Sequence, residues 1–275
     1  MARSVAASGA DGWYPLSVGS SWRLRGHSIR RMIKPGAPPQ VLGESFVDLD
    51  LDLSCADSGT VIERVHEGFS NGGTITVWRR YRQTSEGLWV SRPQSFPSPC
   101  GESLQPSAAG ARALAVRAPD LSALPRDEAF RLAVGASLAR LERKRASLDV
   151  LAADPSASAI RLLAYPLRPG QSWVQQPLSA LPVTMTVEAH ETLHLPIGAL
   201  PAWRIRVDNP FFEPGRDHSH VWYGRAGYLQ LATHLEDDVI ENGVVVGTVM
   251  SDETHQIESV QIAEPDRFFV AVAPR

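Results

Sequence analysis

Lysine is almost missing from this chain. It occurs at Lys34 and Lys144 alone, so nearly all of the 27 basic side chains are arginines. Beside so much alanine and proline, that bias points to a GC-rich genome rather than to guanidinium chemistry. Cysteine is as scarce: Cys55 and Cys100 fit no metal-binding spacing. They suit one disulfide in an exported protein or two thiols in a reducing compartment. A chain of 275 residues buries enough surface to need no staple, which favours free thiols. No run approaches the ~20 apolar residues of a membrane-spanning helix. Met1 to Gly12 holds no apolar segment of the secretory type, so the default expectation is a cytoplasmic protein with a flexible N-terminus. A Gly-x-Ser-x-Gly elbow, a phosphate loop and a dinucleotide glycine fingerprint are all missing, which removes the commonest hydrolase and nucleotide-binding classes.

The charge balance excludes little more. A net charge of −3 exerts no global pull on nucleic acid or an anionic surface. The distribution is uneven, since residues 1–150 hold 19 basic against 15 acidic side chains and the remainder 8 against 15.

What the chain does have is an echo. Tyr14-Pro15-Leu16-Ser17-Val18-Gly19-Ser20-Ser21-Trp22 returns as Tyr165-Pro166-Leu167-Arg168-Pro169-Gly170-Gln171-Ser172-Trp173. Proline belongs before a strand because it cannot donate to a ladder. The glycine four residues on permits a turn that other residues resist. The tryptophan then opens a strand and buries a large ring whose N–H needs a partner. Each copy therefore reads as extended segment, tight turn, strand start.

Period-two patterns fill most of the remaining chain. Phe46 to Leu53 alternates strictly, with carboxylates on one face and leucines on the other. Thr60 to His66 is the next strand, and Asn71-Gly72-Gly73 is a hairpin turn into Thr74 to Tyr81. Ser85-Glu86-Gly87 turns the chain into Leu88-Trp89-Val90. Pro93 to Pro125 reads as an irregular crossing. From Arg126 to Val150, Phe130, Val134, Leu138, Leu141 and Leu148 recur at helical spacing, with Asp127 and Glu128 at the positive end of the dipole and Asp154-Pro155 as the stop. Strands resume at Thr184 to His194, then at 202–208, 218–223, 228–234, 244–250 and 255–262, with Glu241-Asn242-Gly243 as a further hairpin turn. The expected fold is mainly β: a large antiparallel curved sheet, half-barrel or sandwich, with one inserted amphipathic helix. It is read as a single domain over 13–275, in two halves (13–100 and 160–264) around a helical insertion at about 120–153.

The repeated Pro-Leu-x-x-Gly-x-x-Trp pattern resembles that of a group of bacterial β-rich proteins of the envelope and lipoprotein type. Leu195-Pro196-Ile197-Gly198-Ala199-Leu200 stands where that group has a Pro-Ala-Gly turn, with Ile197 and Leu200 departing from the usual residues. Trp222-Tyr223-Gly224-Arg225-Ala226-Gly227-Tyr228-Leu229 is similar to its closing Trp-Tyr and Gly pair. The resemblance implies a half-barrel-like fold and a cell-envelope location. Its motifs are structural turns and bring no catalytic residues or cofactor.

Candidate chemistry stands apart from that. Six of the eight histidines fall between His190 and His255. His218 and His220 alternate on one strand face, and with His234 they form the candidate metal set, although Gly224 sits where a cupin-like site would want a Glu. Asp48, Asp50 and Asp52 read as a solvated face. The basic runs Arg23, Arg25, His27, Arg30, Arg31, Lys34 and Arg79, Arg80, Arg82 read as outward alternation, with no nucleic-acid module beside them. Arg140, Arg143, Lys144 and Arg145 suit a helix that covers an open sheet face, with peripheral membrane contact as the other use. Among seven tryptophans, Trp78, Trp89 and Trp203, with Tyr81, are the candidate lining of an apolar pocket.

The expected function is a non-enzymatic binding or accessory protein, holding an apolar small molecule or docking a protein partner on its curved sheet. The alternatives are a metal-dependent protein centred on His218, His220 and His234, and a structural subunit of a larger assembly.

Overall fold

The computed structural model describes residues 14–57, 60–70, 72–91, 127–146, 159–175 and 182–263. The readings on Met1 to Gly12, Pro93 to Pro125, Leu148 and Asp154-Pro155 lie outside them. In chain order the elements are β1 (Ser21–Ile33), β2 (Gln40–Asp57), β3 (Thr60–Phe69), β4 (Thr74–Thr84), β5 (Gly87–Ser91), α1 (Glu128–Ala146), β6 (Ile160–Ala164), β7 (Ser172–Val174), β8 (Thr184–Leu195), β9 (Gly198–Asp208), β10 (His218–Gly224), β11 (Gly227–Glu241) and β12 (Val244–Gln261). The twelve strands form one antiparallel sheet in the order β6-β5-β4-β3-β2-β1-β12-β11-β10-β9-β8-β7. Neither a sandwich nor a second sheet occurs among the described residues.

The sheet curls until its edges almost meet. The Arg161 amide on β6 donates to the Gln175 carbonyl just past β7, at 3.2 Å. Register shifts at Leu53/Cys55, Val187/Ala189, Trp222/Tyr223 and Val239/Ile240 bend individual strands and support this curvature. Tyr81 on β4 and Tyr223 on β10, six strands apart in the order, both pack on the Tyr14 ring, at 5.9 and 6.3 Å.

The two echoed segments share the same turn and strand entry, although only Tyr165-Pro166 is a cis bond. Ser20 N donates to Ser17 O at 3.0 Å, and Gln171 N to Arg168 O at 3.0 Å. Gly19 N and Leu53 N bond to Leu53 O and Ser20 O (2.8 and 2.9 Å), as Gly170 N and Val187 N bond to Val187 O and Gln171 O (2.8 and 2.9 Å). Gly19 and Gly170 have φ of 91° and 82°, the left-handed region where a Cβ is costly. The two copies meet at Gln83, whose Oε1 accepts from the Tyr14 amide and the Tyr165 hydroxyl. The copies differ in placement. The first opens β1 in the middle of the sheet, and the second opens β7 at its edge.

One core fills one end of the barrel, with Trp22, Leu51, Val65, Leu163, Val187, Ile205, Leu229 and Ile257 from nearly every strand. A second core closes the other end on one side only. There Phe130, Val134, Leu138 and Leu141 of α1 pack against Met32, Leu42, Leu235, Val239 and Val249. Asp127 caps the helix, its Oδ1 accepting from Ala129 N at 2.9 Å. The helix begins at Glu128, two residues after the expected start, and covers the sheet as expected.

Two expectations need correcting. Residues 244–261 form one strand, not two, because Ser251 and Glu253 face the barrel interior rather than a solvated turn. Cys55 is disulfide-bonded, against the leaning toward free thiols, and Cys100 is the one other cysteine of the sequence. Core size does not decide a thiol's redox state; proximity in the fold and the compartment do.

Candidate functional site: the barrel interior

The outer face of the barrel is largely self-neutralised. Antiparallel pairing sets β1 against β2 so that Arg23 faces Asp50 and Arg25 faces Asp48, with Nε–Oδ1 separations of 2.8 and 4.0 Å. Arg31 pairs with Asp252, and Arg64 reaches Asp52 at 2.7 Å. Arg23 and Arg25 of the basic run are thus the partners of Asp50 and Asp48, whereas Arg30, expected to face outward, is buried and pairs with Glu142 of α1. A groove of about 500 Å³ on this face is lined by Arg23, Asp50, Asp52, Arg64, His66 and Thr76. Its charges are already paired and the His66 ring bonds Thr76 at 2.9 Å, so we place the functional site elsewhere.

His218, His220 and His234 do come together on the outer face, with ring separations of 5.0 Å (His218–His234) and 6.1 Å (His218–His220). Three of their nitrogens are engaged, however. His234 Nδ1 lies 2.6 Å from Asp252 and Nε2 3.1 Å from Glu236, while His220 Nε2 lies 3.1 Å from Glu188. Burial lowers the His220 pKa. It also opposes protonation of His234, but there the hydrogen bonds to Asp252 and Glu236 win and raise the pKa. Among the described residues no group of three His, Cys, Asp or Glu side chains has metal-holding geometry.

The pocket set divides between the two faces. Tyr81 and Trp203 lie on the inner side, Trp203 opposite Tyr223 and 4.4 Å from the His190 ring. Trp78 and Trp89 lie on the outer side, Trp89 under the Arg161 guanidinium at 5.4 Å. These four do not line a common cavity.

The interior holds side chains that the pattern reading passed over. Glu63 on β3 stands beside Arg79 on β4. Its side chain is 0% exposed, Tyr81 donates to its Oε2 at 2.9 Å, and Arg79 lies 3.7 Å away. Burial pushes the Glu63 carboxyl up, with Arg79 and Tyr81 pulling it back. The Arg79 side chain keeps 28% of its surface exposed, with Tyr81, Glu63 and Glu67 as its charged and polar neighbours. Tyr223 and Tyr228 stack edge to face beside it, at 5.7 Å.

Toward the helix, Glu253 accepts both Arg145 Nε and Nη2, which ties α1 to β12. His255 Nε2 is 2.9 Å from Glu253 but poorly aimed, and makes no well-directed hydrogen bond. Burial would raise the Glu253 pKa; the contacts with His255 and Arg145 outweigh it and hold the carboxyl well below the ordinary range. A depressed folded-state pKa adds stability at neutral pH, and acid removes it. Glu253→Gln is expected to cost about 2 kcal/mol in urea unfolding at pH 7. That gap should narrow as pH falls below the usual carboxylate range, whereas a constant gap down to acid would refute the assignment.

The inner faces of β2, β3 and β4 form the rest of the wall. Pairing places Val47, Leu49, Phe69, Ile75 and Val77 on the inner side with Val65, interrupted by Glu67. The first five remain half-buried, since among the described residues α1 packs mainly on β11 and β12 and covers little of this side. A strand pattern in which Val61, Glu63, Val65 and Glu67 share one face and Ile62, Arg64 and His66 the other has no apolar side to read. That is why the sequence did not disclose the cluster.

No family model matches the chain, and no curated protein is similar to it in sequence. Among the solved structures to which the chain is weakly similar are three of low sequence identity. One is a protein assigned to export, with a YmcC-like fold, from Bacteroides fragilis (10% identity, TM-score 0.39, covering 91% of this chain and 99% of that one). Another is a protein assigned as a lipoprotein from Parabacteroides distasonis (9% identity, TM-score 0.31, 91% and 99%). The third is lipovitellin, in a structure concerned with its lipid–protein interactions (8% identity, TM-score 0.31, 90% and 26%).

Proposed function

We propose that the protein is a non-enzymatic binding protein that holds an apolar ligand inside its curled sheet. The observation that carries this reading is the apolar wall of β2–β4, turned inward yet only partly covered among the described residues, with Leu49 and Val77 touching the core along one side. In a barrel filled for its own stability those side chains meet opposing ones. Here the helix packs on β11 and β12, with Met32 of β1 and Leu42 of β2, and none of Val47, Leu49, Phe69, Ile75 and Val77 belongs to its core. The disulfide at Cys55 supports an oxidising compartment, and hence the cell envelope, over the cytoplasm.

The test uses purified protein and the apolar fluorophore N-phenyl-1-naphthylamine. Saturable enhancement at about one equivalent is expected. Val77→Asp, which places a carboxylate on the wall, should weaken binding by about tenfold or more. Thr76→Asp, one residue away but on the outer face, should leave binding unchanged. Absence of saturable binding, or equal binding by Val77→Asp, overturns the reading.

A further inference from the structure

The wall of β2–β4 ends at two buried polar atoms that are not hydrogen-bonded. Glu63 Oε1 and Arg79 Nε are both buried and have no hydrogen-bond partner among the described residues. They belong to adjacent residues of paired strands, on the inner face. The partners that Glu63 does have, Tyr81 and Arg79, both approach its other oxygen. One of the two atoms is an acceptor that needs a donor, and the other is a donor that needs an acceptor. Buried polar atoms in folded proteins are nearly always satisfied, by protein, water or ligand. From Arg79 the wall runs through Val77 to Ile75, about 13 Å of strand. That is the length of an extended chain of roughly ten carbons.

We infer that Glu63 and Arg79 receive the head of a linear amphiphile whose head is uncharged and both donates and accepts hydrogen bonds, an alcohol or amide, with its chain along Val77, Ile75, Leu49 and Val47. This rests on the apolar-ligand reading and adds the chemistry of the head. A carboxylate head satisfies Arg79 but sets a second anion against Glu63, with Glu67 on the same wall. An ammonium head satisfies Glu63 but sets a second cation against Arg79. A hydroxyl or an amide answers both atoms at once, because each carries a donor and an acceptor. Discrimination of this kind is strong where a polar group is left unpaired in a buried site.

Displacement of bound N-phenyl-1-naphthylamine at pH 7 by four ten-carbon compounds tests it. Decan-1-ol and decanamide are expected to displace at concentrations about tenfold lower than decanoate and decylammonium. In Glu63→Gln, which keeps the shape and removes the charge, decanoate should move to within about threefold of decan-1-ol. If all four displace the probe alike in the wild type, or Glu63→Gln leaves decanoate as weak as before, the head assignment is overturned while the apolar-ligand reading stands. If the wild type binds no probe, both fall. The wild-type order alone decides the matter should the variant fail to fold.

Discussion

Trp22→Ala is expected to lower the stability of the protein by about 4 kcal/mol, near the upper end for removal of a buried aromatic ring. Trp22 is 2% exposed and packs 5.7 Å from Tyr14. Its Nε1 donates to the Ala226 carbonyl, which joins β1 to the β10–β11 turn across the barrel. Gly227, at φ 92°, lies so close that an added Cβ would sit 3.1 Å from that nitrogen. Ring, turn and hydrogen bond therefore define one another, and the cavity cannot collapse cheaply. Trp173→Ala, the same change in the second copy, is expected to cost about 3 kcal/mol with a different signature. Its Nε1 donates to the Arg161 carbonyl at 3.1 Å, on the seam between the first and last strands of the sheet. Hydrogen exchange at the Arg161 amide should rise in Trp173→Ala well before global unfolding. In Trp22→Ala it should rise only with it. Urea unfolding within 1 kcal/mol of wild type for Trp22→Ala would contradict the core described above.

The echo was readable because both copies depend on local chemistry: a proline, a left-handed glycine and a large ring at fixed offsets. The strand alternation of Phe46 to Leu53 was readable for a similar reason, since one face meets the core and the other meets Arg23 and Arg25. What alternation does not carry is the identity of the inner face where both faces hold charges. Glu63, Arg79 and Glu253 look like solvent residues in a window of ten. They become interior residues only when the sheet curls over them. The break expected between 250 and 255 is the same failure, because Ser251-Asp252-Glu253-Thr254 has the composition of a turn, yet Ser251 and Glu253 face a polar interior while Asp252 and Thr254 face outward. Register shifts add to it. After Val187/Ala189 the faces of β8 exchange roles relative to β9, which no periodic count anticipates. The candidate pocket aromatics divide between the two faces by simple alternation. Trp78 and Trp89 satisfy the composition of a pocket, but their parity places them on the far side of the sheet from Tyr81.

The scarcity of lysine gives the second large effect. Lys144 on the last turn of α1 is 10% exposed, and its Nζ reaches Asp217 at 2.7 Å, the Glu236 carbonyl at 2.7 Å and Glu213 at 3.4 Å. The Asp217 side chain is 0% exposed and also accepts from the Glu213 and Glu236 amides, both at 2.8 Å. One ammonium thus joins the helix, the β9–β10 loop and β11. Lys144→Met keeps the aliphatic stem and leaves a buried carboxylate without its cation, an omission that costs about 3 kcal/mol in comparable sites. Because Arg30–Glu142 and Arg145–Glu253 lie on the same stretch of helix, the loss should appear first as release of α1 rather than as failure of the sheet. Circular dichroism is expected to show the helical signal melting several degrees below the β signal. The exposed Met32, Leu235 and Val249 should then add a second, weaker class of N-phenyl-1-naphthylamine sites. The double variant Lys144→Met with Asp217→Asn removes both charges and should recover about half of the lost stability, since much of the penalty is the stranded anion rather than the missing bond. A single variant as stable as wild type, or a double variant less stable than Lys144→Met, would mean that the helix is held by its apolar stripe alone, and that opening of the barrel is not governed from this end.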